Sequence, residues 1–229
     1  MKIGHNCPGL PEGKVKYSDD KMQALVDKCR PKKVTPFYAE FIKDEFVHTD
    51  VIVIPEGTIL DILILDMEKC EARIARSEDP DEKALMQKCI TYLEQEKPLG
   101  ECAFSEEEME RLRKLAPISL KPVLQIDGTM ETNYVILQAL EKANIMFFYT
   151  AGPKEVHAWP IAKDADIVTC AGRIHTDLAR GFIKGEVVSY HDFMQCHSFN
   201  DCRKKGLVNV VDRGHRIQNG DIIEIRFNV

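Results

Sequence analysis

The residues between Gly9 and Val15 come close to a phosphate-binding loop, whose motif is Gly-x-x-x-x-Gly-Lys-[Ser/Thr]. In that motif, backbone N–H groups surround the phosphates, the lysine neutralises them and the hydroxyl holds magnesium. Gly13 and Lys14 are present, but Pro8 takes the place of the first glycine and Val15 that of the hydroxyl residue. Pro8 has no N–H to donate. The sequence therefore predicts no working phosphate loop here.

Metal ligands are a second kind of chemistry to consider. The eight cysteines include no Cys-x-x-Cys pair, which argues against a zinc ribbon or a thioredoxin-like motif. Cys196 and Cys202 have His191 and His197 nearby, but this spacing fits no standard ligand pattern. The sequence therefore predicts reduced, mostly buried thiols and no metal site.

His175, Thr176 and Asp177 are adjacent and could suggest a proton-transfer pair. Adjacent polar residues at a turn into a helix more often cap that helix. The capping interpretation is preferred here.

Basic residues form two groups that could contact RNA phosphates. The first group contains Arg203, Lys204, Lys205, Arg213 and Arg216, and the second Arg30, Lys32 and Lys33. An ordinary charged surface is an equally good explanation, because the whole chain is acidic, with a net charge of −6.

Three helices are predicted between residues 59 and 115. Apolar residues recur at spacings of three and four from Ile59 to Arg76, and Asp79-Pro80 starts a second helix that runs to about Glu96. Ser105 and Glu108 form a capping box for the third. This segment has too few apolar positions for an independent core. It is either a projecting arm or an antiparallel hairpin packed flat on the rest of the chain.

Around this segment the pattern predicts strands at 34–42, 51–54 and 122–126, with helices at 20–29 and 132–143. After residue 150 it changes to short strands at 156–161, 182–188, 208–211 and 222–229, with helices at 176–180 and 190–195. The fold class is therefore α+β. A domain boundary is predicted near residue 150, between an α/β layer with an inserted helical hairpin and a second, smaller domain.

Composition excludes fibrous, disordered and disulfide-scaffold proteins: 44% of the 229 residues are hydrophobic and 30% are charged. Uncharged apolar stretches such as 51–54 are far shorter than the roughly 18 residues that span a bilayer. Residues 1–8 lack the apolar region of a signal peptide. We therefore predict a cytoplasmic protein without a membrane partner.

The last third of the chain carries a series of closely spaced motifs. They lie at 152–159, 171–177, 181–187, 219–221 and 226–229. In this order they closely resemble the TGS domain of YchF proteins, the ATP-preferring branch of the Obg-related GTPases. The resemblance implies a β-grasp, ubiquitin-like fold for residues 151–229. It also implies structural roles for His175, Thr176, Asp177, Gly181, Phe182, Gly220 and Asp221.

The resemblance continues upstream. Residues 13–22 are similar to the family's G-x-V-x-V-P-D-x-R-L, residues 30–36 to its next strand, and residues 68–76 to the start of its coiled-coil arm. On this alignment the chain begins downstream of the nucleotide-binding strand and loop. Residues 1–150 are therefore expected to be a degenerate G-domain remnant, with the helical arm at about 59–115.

Two further nucleotide-handling motifs are altered. Residues 41–46 lack the glycine of the family's D-x-x-G switch. Residues 121–131 align with K-P-x-x-Y-x-x-N-V-x-E, in which the Asn and Glu read adenine. Glu131 is retained, whereas Gly128 replaces the Asn. One hydrogen-bonding group contributes about 1–3 kcal/mol, far less than the roughly 8 kcal/mol of a micromolar ligand.

The sequence thus predicts a non-catalytic TGS-domain protein that needs no cofactor. It would bind RNA, the ribosome or a translation-related protein, as the resemblance implies. The alternative is residual binding of ATP or GTP with magnesium, or slow hydrolysis, through Gly128, Glu131 and the loop at 9–14. A small-molecule sensor in the β-grasp domain also stays open. The oligomeric state is not predicted.

Overall fold

The computed structural model describes residues 1–128 and 130–228. These residues form two compact units, and each unit draws on two separate stretches of chain. The first contains residues 1–15 and 39–143, and the second residues 16–38 and 144–229.

The elements are numbered along the chain. The strands are β1 (Lys2–His5), β2 (Gly13–Lys16), β3 (Lys33–Thr35), β4 (Tyr38–Lys43), β5 (Val51–Pro55), β6 (Val123–Ile126), β7 (Ile145–Ala151), β8 (Glu155–Ala162), β9 (Phe182–Val188), β10 (Asn209–Val211) and β11 (Ile222–Phe227). The helices are α1 (Asp20–Cys29), α2 (Ile59–Arg76), α3 (Pro80–Glu94), α4 (Glu106–Leu115), α5 (Thr132–Lys142), α6 (Ile167–Ile174), α7 (Thr176–Arg180), α8 (Tyr190–Gln195) and α9 (Phe199–Lys204).

The first unit is built on a five-stranded sheet in the order β2-β4-β1-β5-β6. β1 is parallel to both of its neighbours, and β5 is parallel to β6. Side chains of β5 on one face, Ile52 and Ile54, pack with Ile62 of α2 and with Ile118 and Val123. This cluster attaches the first turns of α2 to the sheet.

A short connection, residues 44–50, joins β4 to β5 and crosses β1, which lies between them. Parallel strands usually need a connection of about a dozen residues or more. The short path passes so close to β1 that a Cβ at Gly4 would overlap the carbonyl oxygen of Glu45 and lie 2.9 Å from Oγ1 of Thr49. Lys121 holds the connection from outside, since its Nζ donates to the carbonyl oxygen of Phe46 at 2.7 Å.

Helices α2, α3 and α4 share a hydrophobic cluster, and α2 packs along α3. The cluster contains Leu63, Cys70, Leu85, Met86, Cys89, Ile90, Leu93, Leu99 and Leu112. The segment was predicted to have too few apolar positions for an independent core, yet it contains this buried cluster. Five of the nine buried residues lie on α3, and Leu99 lies between α3 and α4.

The second unit contains a six-stranded sheet in the order β10-β9-β11-β7-β8-β3. β7 and β8 form an antiparallel hairpin, and β11 pairs with β7 in parallel and with β9 in antiparallel register. Helix α6 packs its buried residues Ile167, Cys170 and Ala171 in one cluster with Phe148 and Ile223 of the sheet. β3, from the early part of the chain, forms the edge of this sheet beside β8.

These sheets and helices fit the predicted α+β class. The bounds predicted for α1, α2, α7, α8 and β9 agree with those observed. One predicted strand was wrong: residues 34–42 are divided at Pro36 and Phe37 into β3 and β4, which belong to different sheets. Predicted strand 222–229 ends at Phe227, and its last residue, Val229, lies outside the described part of the chain.

The start of the chain also differs from expectation. The alignment placed the start of the chain downstream of the nucleotide-binding strand, yet Lys2–His5 is the central strand of the first sheet. The two units also differ from a division at residue 150, because the second unit includes residues 16–38 and its later stretch begins at Asn144.

Candidate functional site

The carboxyl edge of the five-stranded sheet has the topology of a ligand site. From β1 the chain continues to β4 on one side of it and then to β5 on the other, so β1 is the point where the strand order reverses. In open α/β sheets, ligands bind beyond the carboxyl ends of the strands at such a point. Residues 6–12 follow β1 at this edge, and residues 127–131 follow β6.

The loop at 6–12 has no helix behind it. Gly9 and Gly13 adopt left-handed φ values of 89° and 88°, which glycine tolerates. Gly13 and Lys14 then start β2, whereas a phosphate loop leads into a helix whose N-terminal N–H groups face the anion. The resemblance to a phosphate loop is therefore confined to residue types.

His5 and Cys7 lie at the carboxyl end of β1 and are both buried. Among the described residues neither ring nitrogen of His5 has a hydrogen-bond partner, and the ring meets Phe41 edge-on at 5.8 Å between centroids. The Cys7 thiol lies 3.6 Å from the carbonyl oxygen of Val53 and donates to it. Burial raises the pKa of the Cys7 thiol to about 11, so it is a protonated donor at neutral pH.

Gly128 and Glu131, the predicted base-reading remnant, are both exposed at this edge. Glu131 occupies the N-cap position of α5, and its side chain makes no capping hydrogen bond. The predicted remnant and the loop at 6–12 thus follow strands of the same sheet. Thr129, which belongs to the same motif, lies outside the described residues.

The second unit contains the predicted structural motifs. His175 is the N-cap of α7, and its Nδ1 accepts a hydrogen bond from the backbone N–H of Asp177 at 3.2 Å. Thr176 and Asp177 form the first turn of that helix, and Gly181 follows its end. This is the geometry of a helix cap, and it leaves Nδ1 occupied.

The turn before β11 has a clear structural role. Gly220 has a φ of 103°, and Oδ2 of the buried Asp221 accepts from the backbone N–H of Gln218 at 2.9 Å. Burial raises the pKa of the Asp221 carboxyl. The carbonyl oxygen of Asp221 also accepts from the N–H of Tyr149 at 2.8 Å, which joins this turn to β7.

The five basic candidates of this unit do not form one uniform patch. Arg203 donates to Glu186 at 2.9 Å and also pairs with Glu224, and Lys205 pairs with Asp201 at 3.0 Å. Lys204 is exposed. The guanidinium of Arg213 donates to the carbonyl oxygen of Phe182 at 3.0 Å, and that of Arg216 to the carbonyl oxygen of Asp164. Only Lys204, Arg213 and Arg216 therefore keep their charge uncompensated by a carboxylate within the described residues.

All eight cysteines are free thiols. Across residues 1–128 and 130–228, no cluster of three or more His, Cys, Asp and Glu side chains is arranged to hold a metal ion. The grouping around Cys196 and Cys202 is thus not assembled. No described helix is both long and apolar enough to cross a bilayer.

Residues 145–228 match the family model YchF-GTPase_C, described as "Protein of unknown function (DUF933)". This stretch of the chain is therefore similar to the C-terminal region of YchF proteins. In fold, the chain is similar to the structure of the Schizosaccharomyces pombe YchF GTPase, with a TM-score of 0.80 and 17% sequence identity, covering 99% of this chain and 97% of that one.

Related sequences carry ATPase names. The Ribosome-binding ATPase YchF of Mycoplasma genitalium is 31% identical over 152 residues, which cover 65% of this chain and 41% of that protein. The protein of the same name from Bacillus subtilis is 23% identical, with 95% and 89% covered. Obg-like ATPase 1 of Bos taurus is 35% identical, with 52% and 30% covered. The chain thus spans less than two-thirds of the M. genitalium and B. taurus relatives.

These names correct one prediction. The sequence predicted that the chain is no enzyme, because three nucleotide-handling motifs are altered. Relatives from M. genitalium and B. subtilis are named ATPases and the fold matches a YchF GTPase, so enzymatic activity fits the family and the prediction was wrong. The three altered motifs are therefore not sufficient to exclude enzymatic activity.

Two features of this site were missed by the sequence argument. Gly4 and the buried His5 were not included in any predicted strand, so the central position of β1 was not predicted. The alternation of Ile3 and His5 with Lys2 and Gly4 was an available signal, but four residues are too few for a clear period.

Proposed function

We propose that this chain acts in association with the ribosome and that its second unit, a β-grasp domain of the TGS type, contributes the contact. The observation that carries the proposal is the match of residues 145–228 to the YchF C-terminal family model, together with relatives named ribosome-binding ATPases. Association with the ribosome would make the chain a cytoplasmic protein.

The β-grasp assignment is supported by strand order. Within the second sheet, β8-β7-β11-β9 places the first and last strands of residues 145–228 side by side and parallel, with α6 packed on the sheet. A β-grasp fold has a helix embraced by such a mixed sheet.

Lys204, Arg213 and Arg216 are the proposed contact residues. Their charges are available to phosphates, whereas those of Arg203 and Lys205 are already paired with carboxylates. Replacing Arg203 would leave Glu186 buried without part of its partner set, so that change would disturb the fold as well as the surface.

Sedimentation through a sucrose cushion tests this proposal. The chain is expected to enter the ribosomal pellet, and the triple variant Lys204→Glu, Arg213→Glu, Arg216→Glu to stay in the supernatant. A matched variant, Arg76→Glu, Lys83→Glu, Lys97→Glu, makes the same change of charge on the helical segment and should pellet as the parent does. A parent chain that never pellets with ribosomes would remove the proposal.

A second candidate function is binding and hydrolysis of a purine nucleotide at the carboxyl edge of the first sheet. It is favoured by one observation, the position of β1 and of the glycine-containing loop 6–12 at the point where strand order reverses. Glu131 follows β6 at the same edge, where it could read a base.

Calorimetry with ATP, ADP and GTP tests the second candidate. A magnesium-dependent heat of binding that weakens in Glu131→Gln is expected, together with release of phosphate from ATP. The control Glu141→Gln changes an exposed glutamate of α5 and should leave the titration unchanged. Absence of binding at millimolar ATP would rule this candidate out.

A further inference from the structure

A groove runs beside the edge strand of the second sheet. It has a volume of about 300 Å³ and lies between α1 and β3. Its lining residues are Lys16, Tyr17, Ser18, Asp19, Met22, Gln23, Val26, Val34 and Pro36. Val34 is 41% exposed, so this edge of the sheet is open to solvent. The groove is separate from the basic residues Lys204, Arg213 and Arg216.

Basic residues gather at the end of the groove where β3 begins. The N–H of Lys32 donates to the carbonyl oxygen of Pro153 at 3.1 Å, and the N–H of Lys33 to that of Lys154 at 3.2 Å. These backbone bonds bring together two stretches that are far apart in sequence. Arg30, at the end of α1, completes a basic corner made of Arg30, Lys32, Lys33 and Lys154, all of them exposed.

Most of this charge is uncompensated. Glu155, the acidic residue of the corner, accepts from Oγ1 of Thr35 at 2.6 Å and pairs with Lys33 at 2.9 Å. Within residues 1–128 and 130–228, no ion pair joins Arg30, Lys32 or Lys154 to a carboxylate. Three cations at one corner of a chain whose net charge is −6 form a local site for a polyanion.

The groove adds contacts that suit a nucleic acid strand. Lys16 provides a cation within the groove, and Ser18 and Gln23 provide polar side chains. Tyr17 is half-buried, with its ring stacked on Phe147 at 5.9 Å between centroids, so an aromatic ring is held in a fixed orientation. Basic grooves with fixed aromatic rings are typical of proteins that bind single strands.

We propose that the groove between α1 and β3 and the basic corner at its end bind single-stranded RNA through its phosphates. Lys32 and Lys154 contact phosphates at the corner, and Lys16 contacts a phosphate within the groove. Between these contacts the RNA lies along the edge of β3. The identity of this RNA as ribosomal rests on the proposed function, whereas the binding itself does not.

Fluorescence anisotropy of a labelled oligouridylate of about 12 nucleotides tests the site with the full-length chain. The variant Lys32→Gln, Lys154→Gln is expected to bind roughly tenfold more weakly at about 50 mM salt. Its slope of log affinity against log salt should be shallower by about 1.4, since each phosphate contact to a single strand contributes about 0.7. The matched variant Lys83→Gln, Lys163→Gln removes two exposed lysines elsewhere and should retain the parent slope.

Three results would overturn the proposal: no anisotropy change for the parent chain, equal slopes for the two double variants, or displacement of the RNA by polyglutamate of equal length at equal charge. The last would show that any acidic polymer is accepted. Sedimentation with ribosomes is measured separately on the same variants. If the variant Lys32→Gln, Lys154→Gln loses RNA binding but still sediments with ribosomes, the proposed function is left intact. If it retains RNA binding but no longer sediments with ribosomes, only this inference is removed.

Discussion

At the scale of single residues, the second unit shows why surface charge in a sequence is a poor guide to a binding site. Arg203, Lys204 and Lys205 are consecutive, yet only Lys204 lacks a carboxylate partner in the described residues. The partners, Glu186 and Glu224, lie on strands β9 and β11 and become neighbours of Arg203 only through the antiparallel register. The sequence predicted the residue types, and the fold selected which charges remain available.

Glu186 offers a direct test of this arrangement. Its side chain is 1% exposed and paired with Arg203 and Arg226, whose side chains are 36% and 59% exposed. Burial opposes ionisation, but hydrogen bonds from both arginines hold the pKa of the carboxyl below its usual range. We expect Glu186→Gln to lower the free energy of unfolding at pH 7 by about 2 kcal/mol, after allowing for the solvent exposure of the arginines.

The pH dependence of this loss has a defined sign. A carboxyl whose pKa is lowered by folding stabilises the folded state above its unfolded pKa, and this contribution is lost as pH falls through the folded pKa. The difference in urea unfolding between the parent and Glu186→Gln should therefore begin to shrink as pH falls below the unfolded pKa, about 4. Glu224→Gln, which changes an exposed partner of the same arginine, serves as a control and should show a smaller difference. A constant difference between pH 3 and pH 7 would contradict this account.

At the scale of elements, the residues that cap helices were the most reliable basis for predicting structure from the sequence. Asp79 caps α3 before Pro80, and Ser105 with Glu108 forms the predicted capping box of α4. Such signals are local, so sequence suffices to place them. Strand assignment failed where tertiary pairing determines which strands form. Only Pro36 and Phe37 separate β3 from β4, yet β3 pairs with β8 in one sheet and β4 pairs with β1 in the other.

The short connection over β1 depends on Gly4. A Cβ at this position would overlap the carbonyl oxygen of Glu45, so Gly4→Ala must push residues 44–50 away from β1. We expect a loss of about 1–3 kcal/mol in the free energy of unfolding. Gly128→Ala, at a site with no neighbouring atom within 4 Å, should change stability by no more than about 0.5 kcal/mol. Equal stability of the two variants in chemical denaturation would show that the connection is not tightly packed.

Asp66 joins α2 to the chain after α4. It is fully buried, and its two carboxylate oxygens accept from the N–H groups of Ile118 and Ser119, each at 2.7 Å. Asparagine has one carbonyl oxygen, so Asp66→Asn would set an NH2 group against one of the donors. A loss of about 2–3 kcal/mol in urea unfolding is expected.

The neighbouring exposed residue Glu68 supplies the comparison for Asp66. Glu68→Gln changes a carboxylate to an amide on the same helix and should leave stability within about 0.5 kcal/mol of the parent. If Asp66→Asn were equally mild, the two hydrogen bonds would not anchor α2.

At the scale of the whole molecule, the second unit is assembled from residues 16–38 and 144–229. Helix α1 packs against β7, β8 and α8, and the buried Tyr149 donates its hydroxyl hydrogen to Asp19. No local sequence pattern predicts these contacts, because they join residues more than a hundred positions apart. The motifs of the C-terminal region were recognisable from sequence, but their structural dependence on the early segment was not.

Separation of the two stretches tests this dependence. A fragment of residues 144–229 would expose the surfaces that α1 and β3 cover, so its thermal midpoint is expected to fall below that of the unit in the full chain. Adding a peptide of residues 16–38 should raise the midpoint, measured through Trp159, the single tryptophan of the sequence.

A peptide in which Met22 and Leu25 are replaced by Asp is the matched control, since both side chains are buried on α1. It should give no increase in the midpoint. A fragment that already melts with the full chain, and does not respond to either peptide, would mean that residues 16–38 contribute little to the stability of the unit.

The edge position of β3 beside β8 also has a consequence for biosynthesis. Translation adds about 5–20 residues per second, so roughly 6–25 s separate the emergence of residues 16–38 from that of the hairpin with which they pair. During that interval the hydrophobic side of α1 has no partner from its own unit. Residues 16–38 of the nascent polypeptide therefore remain unpaired during this interval. Slower elongation before codon 155 would lengthen the time in which chaperones or other nascent chains can bind this segment.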